Sequence, residues 1–278
     1  MQTTINGTSV YYEERGSGLP VVILHGFSLD HESMLNVFEP LFAGHDGYRR
    51  LYLDMPGHGR TAGTDALCSS QAIAQTILAF LDVLAPDQPI ALVGFSYGGH
   101  IARLILKACL ERIVGLCLIA LPVESGPGIR DLPEPRVIVR DPAAIADLPE
   151  EVASSILPTL CVQTRPVLDR IRAELVDTFG RGDPAFQQRL RESPTYAYAP
   201  ESVRLPAPYD RPTLILTGRH DVSTGFAGAF DLARKFPRAT YAALDGAGHG
   251  LFFEQAALFR ALVLDWLDRV ALARADIA

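Results

Sequence analysis

The chain has 278 residues, 48% of them hydrophobic, with a mean hydropathy of +0.15, which is enough apolar material for one sizeable core plus an insertion and excludes a disordered polymer. A formal net charge of −7 and an isoelectric point near 5.5 argue against a phosphate-backbone partner, so no nucleic acid is expected as ligand.

In chain order, Thr3-Thr4-Ile5 and Ser9 to Glu13 flank Asn6-Gly7, a pair suited to a two-residue hairpin turn. Pro20 to Leu24 is apolar throughout, as a strand covered on both faces of a parallel sheet should be, and His25-Gly26-Phe27 ends it. A helix over about Glu32 to Ala43 precedes a strand from Arg49 to Leu53, closed by the glycine-rich loop Asp54 to Thr61. Ser69 or Ser70 can cap a helix running to Leu84, in which Ile73, Ile77, Leu78, Leu81 and Leu84 recur at helical spacing. The strand Ile90 to Val93 leads into Gly94-Phe95-Ser96-Tyr97-Gly98 and then a helix-compatible run from His100. Glycines two before and two after a serine are what a sharp strand-to-helix reversal requires, and such a turn lifts the serine hydroxyl to the strand's end. The N–H of the following residue then lies at a helix N-terminus, where it can stabilise an oxyanion.

Ile113 to Leu121 is again strand-like, so strands and helices alternate as in a doubly wound, mostly parallel α/β sheet. From 123 to 208 the texture changes to prolines, charges and helix-compatible pieces such as Pro166 to Leu175, which predicts a mostly helical insertion between core segments 1–122 and 209–278. Strand texture resumes at Pro212 to Thr217 and Ala239 to Leu244, and a last helix is predicted over Leu251 to Ala271. Cys68, Cys109, Cys117 and Cys161 stand far apart with no C-x-x-C pair, which predicts reduced thiols and no zinc site. No basic segment followed by an apolar stretch opens the chain, and no apolar run reaches spanning length; a cytoplasmic protein without a membrane partner is expected. Oligomeric state is left open.

Ligands of open parallel sheets bind beyond the carboxyl ends of the strands, where this sequence places His25-Gly26-Phe27, Asp54, Ser96, Glu124, Asp221 and His249. A serine hydroxyl attacks poorly unless a base takes its proton and a carboxylate orients that base. Asp221 and His249 follow Ser96 in the order this turn type predicts. The sequence resembles the α/β-hydrolase family over nearly its whole length, through His25-Gly26, the Asp54-x-Pro56-Gly57-His58-Gly59-x-Thr61 loop, the Gly94-x-Ser96-x-Gly98 elbow, Gly218-Arg219-His220-Asp221 and Gly246-x-Gly248-His249. The resemblance implies nucleophile Ser96, acid Asp221, base His249, an oxyanion hole from the N–H groups of Phe27 and Tyr97, and a cap domain at 123–208. The family commonly carries a proline after the acid; Val222-Ser223-Thr224-Gly225 has none, which leaves Glu124 as a reserve acid.

Asp54 and His58 are assigned to structure, His100 to packing, and His25 to bracing the oxyanion turn, while His25, His31 and Phe95 are candidate pocket residues. Asp54, His58, His220 and Asp221 fit no metal-ligand spacing. The expected activity is hydrolysis of a small or medium apolar ester or lactone, carboxylesterase-like, on a small-molecule substrate and with no metal or cofactor. Three alternatives use the same residues: a diketone carbon–carbon hydrolase, a cofactor-free oxygenase or lyase, and a ligand-binding receptor with a slow triad. The serine at the elbow disfavours an aspartate-nucleophile dehalogenase or epoxide hydrolase.

Overall fold

The computed structural model describes residues 1–123, 131–194, 196 and 203–275. The described residues form ten strands: β1 (Gln2–Ile5), β2 (Thr8–Gly16), β3 (Leu19–Leu24), β4 (Tyr48–Leu53), β5 (Ile90–Phe95), β6 (Ile113–Ile119), β7 (Val139–Arg140), β8 (Val162–Gln163), β9 (Thr213–Gly218) and β10 (Ala239–Leu244). Eight of them form one sheet in the order β1-β2-β4-β3-β5-β6-β9-β10. The pairs β1·β2 and β2·β4 are antiparallel and the rest parallel. The Asn6-Gly7 hairpin forms with both residues at positive φ, 48° and 83°.

Every residue of β3, β5, β6 and β9 is buried, because alternate side chains enter two different cores. On one face Val21, Ile23, Val93 and Leu214 meet Phe38 of α1 (His31–Phe38) and Trp266 of the last helix. On the other, Val22, Leu92 and Ile215 meet Ile73 and Ile77 of α2 (Ser70–Leu84) and Ile101 and Ile105 of α3 (Tyr97–Ala108). Ser69 caps α2, accepting the Ala72 N–H at 3.0 Å.

Between β6 and β9 the described residues form the two-residue pair β7·β8 and four helices, α4 (Pro142–Ala146), α5 (Glu150–Ile156), α6 (Arg165–Glu174) and α7 (Pro184–Glu192). Apolar residues of these elements and of the turns between them, among them Ile156, Leu160, Leu168 and Leu175, continue the first core. After β9, α8 (Ala227–Ala233) precedes β10.

The expected C-terminal helix is two helices, α9 (Leu251–Glu254) and α10 (Ala256–Ala275), broken at Gln255 with φ −126° and ψ 48°. The cause is tertiary: the Gln255 side chain donates to the Gly246 carbonyl, and Glu254 turns its carboxylate onto three backbone N–H groups, as described below. Within α10, Phe259, Val263, Trp266, Leu267 and Val270 form the buried face at helical spacing. No helix among the described residues is long and apolar enough to cross a membrane. The four cysteines are free thiols, two buried and two half-buried.

The turn after β5 is built without space for side chains. A Cβ on Gly94 would lie 2.4 Å from the Gly98 carbonyl oxygen, and one on Gly98 would lie 2.5 Å from the carbonyl oxygens of Leu24 and His25. Gly98→Ala should therefore lower stability by about 1–3 kcal/mol through backbone displacement, read as a fall in the urea midpoint. An unchanged midpoint would contradict this packing.

Candidate active site

The sheet reverses its winding at β3, which lies between β4 and β5, so the loops after β3 and β5 flank a crevice at the carboxyl edge. Phe27 comes from the first loop and Ser96 from the second. Ser96 sits at φ 51° and ψ −118°, a sparsely populated conformation costing about 1–3 kcal/mol and held by its N–H bond to the Ile119 carbonyl. Tyr97 opens α3, so its N–H stands at the positive end of the helix dipole. Its side chain is buried, with the hydroxyl 2.9 Å from Ser70 Oγ.

Three residues distant in sequence meet here. His249 Nε2 lies 3.1 Å from Ser96 Oγ, and His249 Nδ1 lies 2.8 Å from Asp221 Oδ2. Asp221 is fully buried, and its other oxygen accepts the N–H groups of Ser223 (2.8 Å) and Thr224 (3.0 Å). The Thr224 hydroxyl donates to Oδ2 at 2.7 Å. Burial alone would raise the Asp221 carboxyl, but His249 and the Thr224 bonds outweigh it and hold the group below its ordinary value. Thr224 escaped the sequence reading. The signal was the Asp-x-Ser-Thr pattern itself, in which N–H groups two and three residues on can bond the aspartate side chain. Glu124, the reserve acid, lies outside the described residues.

A cavity of about 130 Å3 opens on Ser96 and His249. Phe27, Phe95, Phe252 and Phe253 line its sheet side, and Ile156, Leu160, Leu175 and Phe179 its wall from the inserted segment. The described lining residues include no Asp, Glu, Lys or Arg. A larger concavity of about 400 Å3, between Arg103, Tyr209 and Phe236, contains none of these groups.

The structure corrects two candidate pocket residues. His25 does not line the cavity: it is fully buried, its Nδ1 donating to the Gly26 carbonyl at 2.7 Å and its Nε2 accepting the Met55 N–H at 3.0 Å. It braces the turn that carries Phe27. His31 is also away from the cavity, because Asp54 draws it inward; Asp54 Oδ1 accepts both its backbone N–H and its Nδ1–H at 2.8 Å. Asp54 Oδ2 accepts the Arg60 N–H at 2.7 Å. Asp30, His31 and Asp54 bring ligand-type atoms within 4.8 Å of one another, but Asp54 already spends both oxygens on these N–H groups. Phe95 does line the cavity, its ring centroid 5.1 Å from that of His249.

This is an α/β enzyme architecture with a serine–histidine–carboxylate chain at the edge of a parallel sheet. The sequence profile of the Alpha/beta hydrolase family matches residues 21–262, and the chain belongs to that family. A 2-succinyl-6-hydroxy-2,4-cyclohexadiene-1-carboxylate synthase from Escherichia coli is 39% identical over 125 residues, 41% of this chain and 42% of that protein. The match thus spans about two-fifths of that relative's length. An alpha/beta superfamily hydrolase from Oenococcus oeni superposes with a TM-score of 0.86 at 22% identity, covering 98% of this chain and 99% of the other. The enol-lactonase from Burkholderia xenovorans gives 0.73 at 23% identity, over 96% and 100%.

Acid should unfold this protein early. Burial lowers His25 to about 4 and His58 to about 3, and His100 is pushed down by burial and by Arg103. Each binds a proton in the unfolded chain below 6.5 but not in the folded one, so each removes about 1.4 kcal/mol of stability per pH unit as pH falls from there. His31 works the other way: burial lowers it, but Asp54 raises it further, so it adds stability below the unfolded value. Asp30 and Glu254, which burial raises, join His31 only toward the carboxyl range, so from about pH 7 to about pH 5.5 the three lowered histidines set the sign and the melting temperature should drop, with protons taken up on unfolding. A melting temperature that rises over this interval would contradict the neutral buried histidines.

Proposed function

We propose that this chain is a serine hydrolase that cleaves a small, uncharged ester or lactone through an acyl-enzyme. The observation that carries the reading is the Ser96–His249–Asp221 chain ending at an apolar cavity. Ser96 Oγ attacks the carbonyl carbon while its proton passes to His249 Nε2. Asp221 stabilises the imidazolium that forms, and the N–H groups of Phe27 and Tyr97 receive the oxyanion. Collapse of the intermediate expels the alkoxide, which takes the proton from His249. Water, deprotonated by the same imidazole, then attacks the acyl carbon, and the acid leaves as Ser96 recovers its proton.

Cavity size and charge narrow the substrate. An apolar cavity of about 150 Å3 holds a benzene ring, so the space of about 130 Å3 here suits a short acyl chain or a single ring. Burying a carboxylate without a partner is strongly unfavourable. The absence of Lys and Arg among the described lining residues therefore weighs against a product bearing carboxylates, such as the synthase relative's name states.

Chromogenic butyrate and benzoate esters should be turned over at least about tenfold faster than laurate or hemisuccinate esters. Ser96→Ala should reduce turnover by on the order of 10⁵-fold and abolish labelling by a fluorophosphonate. Full turnover in Ser96→Ala would refute the mechanism. Cleavage of a diketone in the same panel, with the esters untouched, would transfer the triad to carbon–carbon hydrolysis.

A further inference from the structure

Glu254, the last residue of α9, takes no part in the reaction as drawn, yet it is buried and bonded on both oxygens. Its Oε1 accepts the N–H groups of Cys161 at 2.7 Å and Val162 at 2.9 Å, and its Oε2 accepts the N–H of Gly248 at 2.7 Å. Cys161 and Val162 belong to the inserted segment; Gly248 immediately precedes His249. One carboxylate thus bridges the wall of the cavity and the loop that carries the imidazole.

A second bond runs between the same two stretches. The His249 N–H donates to the Thr159 carbonyl at 2.9 Å. The backbones approach so closely that a Cβ on Gly248 would lie 2.1 Å from the Thr159 oxygen. On its far side the loop meets the turn bearing Asp221, where the His220 N–H donates to the Ala247 carbonyl at 2.9 Å. A Cβ on Gly218 would lie 2.1 Å from the Gly248 oxygen. The loop of His249 is therefore held between the acid turn and the wall.

Satisfying the N–H groups of Cys161 and Val162 would by itself account for a buried acceptor. It would not account for the division of one carboxylate between wall and loop. Thr159 and Leu160 also line the cavity beside His249, so whatever seats the wall acts on the loop. We propose that Glu254 is a positioning residue that locks the His249 loop to wall segment 159–162 and so holds the imidazole over Ser96 only while the wall is seated. This rests on the reading of Ser96 as nucleophile and His249 as base. Charge-assisted bonds from three N–H groups to one carboxylate supply the rigidity that proton transfer needs.

The test is Glu254→Gln, which keeps the shape but cannot accept at both ends: its amide group must face either Gly248 or the Cys161–Val162 pair with donor against donor. Measured well below the melting transitions of parent and variant, kcat and the saturating rate of fluorophosphonate labelling should fall by about tenfold to a hundredfold, with KM within about twofold. Glu254→Asp, which keeps the charge, should recover part of the loss. A variant that melts lower but labels and turns over like the parent would overturn the proposal and leave Glu254 a structural acceptor. Should Glu254→Gln fail to fold, amide exchange on the parent decides: the N–H groups of Cys161, Val162 and Gly248 should exchange with one common opening, and unrelated rates would overturn the proposal. A parent that the fluorophosphonate does not label removes the reading of Ser96 itself, an outcome distinct from a labelled parent with an unaltered variant.

Discussion

The 3.1 Å contact between His249 Nε2 and Ser96 Oγ joins groups 153 residues apart, and the costly features of the fold gather around it. Ser96 is held in a strained conformation, and the glycines beside it leave backbone against backbone. Asp221 is an ionised group without solvent, tolerable because an imidazole, two N–H groups and a hydroxyl converge on it. Each of these is unfavourable in isolation. They persist because strands buried on both faces leave the surrounding backbone few alternatives.

Behind the loop of Phe27 a second polar network serves the same geometry. His25 uses both ring nitrogens on backbone, so it is fixed as the neutral tautomer with the proton on Nδ1, in keeping with its lowered value of about 4. Asp54 ties the start of α1 to the glycine-rich loop through His31 and Arg60. These groups resemble catalytic residues in type and burial, but they stand away from the cavity and their hydrogen-bonding atoms are directed at main chain or, for His31 and Asp54, at each other. The distinction is one of direction, which residue type does not encode.

In the proposed reaction, chemistry and selectivity are assigned to different parts of the chain. The proposed reacting groups sit on the sheet's edge, whereas Ile156, Leu160, Leu175 and Phe179 from the inserted segment set the size of the cavity. The two parts are tied by polar bonds as well as apolar contact. Gln187 of α7 donates to the Gly57 carbonyl at 3.0 Å and accepts from Ser28 Oγ at 3.2 Å, and Asn36 of α1 donates to the Glu174 carbonyl at 2.8 Å. The bridge at Glu254 is the member of this set that reaches the residue next to His249.

The strands of the eight-stranded sheet, the Asn6-Gly7 hairpin, a serine cap at Ser69 or Ser70 and the elbow around Ser96 were legible in the sequence because each is a local matter: apolar runs, turn residues and capping side chains act within a few positions, whereas the short pair β7·β8 was not. The order of Ser96, Asp221 and His249 along the chain was legible for the same reason, since each follows a strand. Local pattern did not show that Asp54 draws His31 inward or that Gln255 interrupts the last helix, although each involves an ordinary residue type. Those outcomes turn on which groups face one another after the sheet has closed, and Glu254 meets Cys161 and Val162 across more than ninety intervening positions. The sequence by itself determined the layered α/β architecture and the inventory of reactive side chains; only the tertiary structure decided which of them share a cavity, because burial and direction come from packing among distant segments.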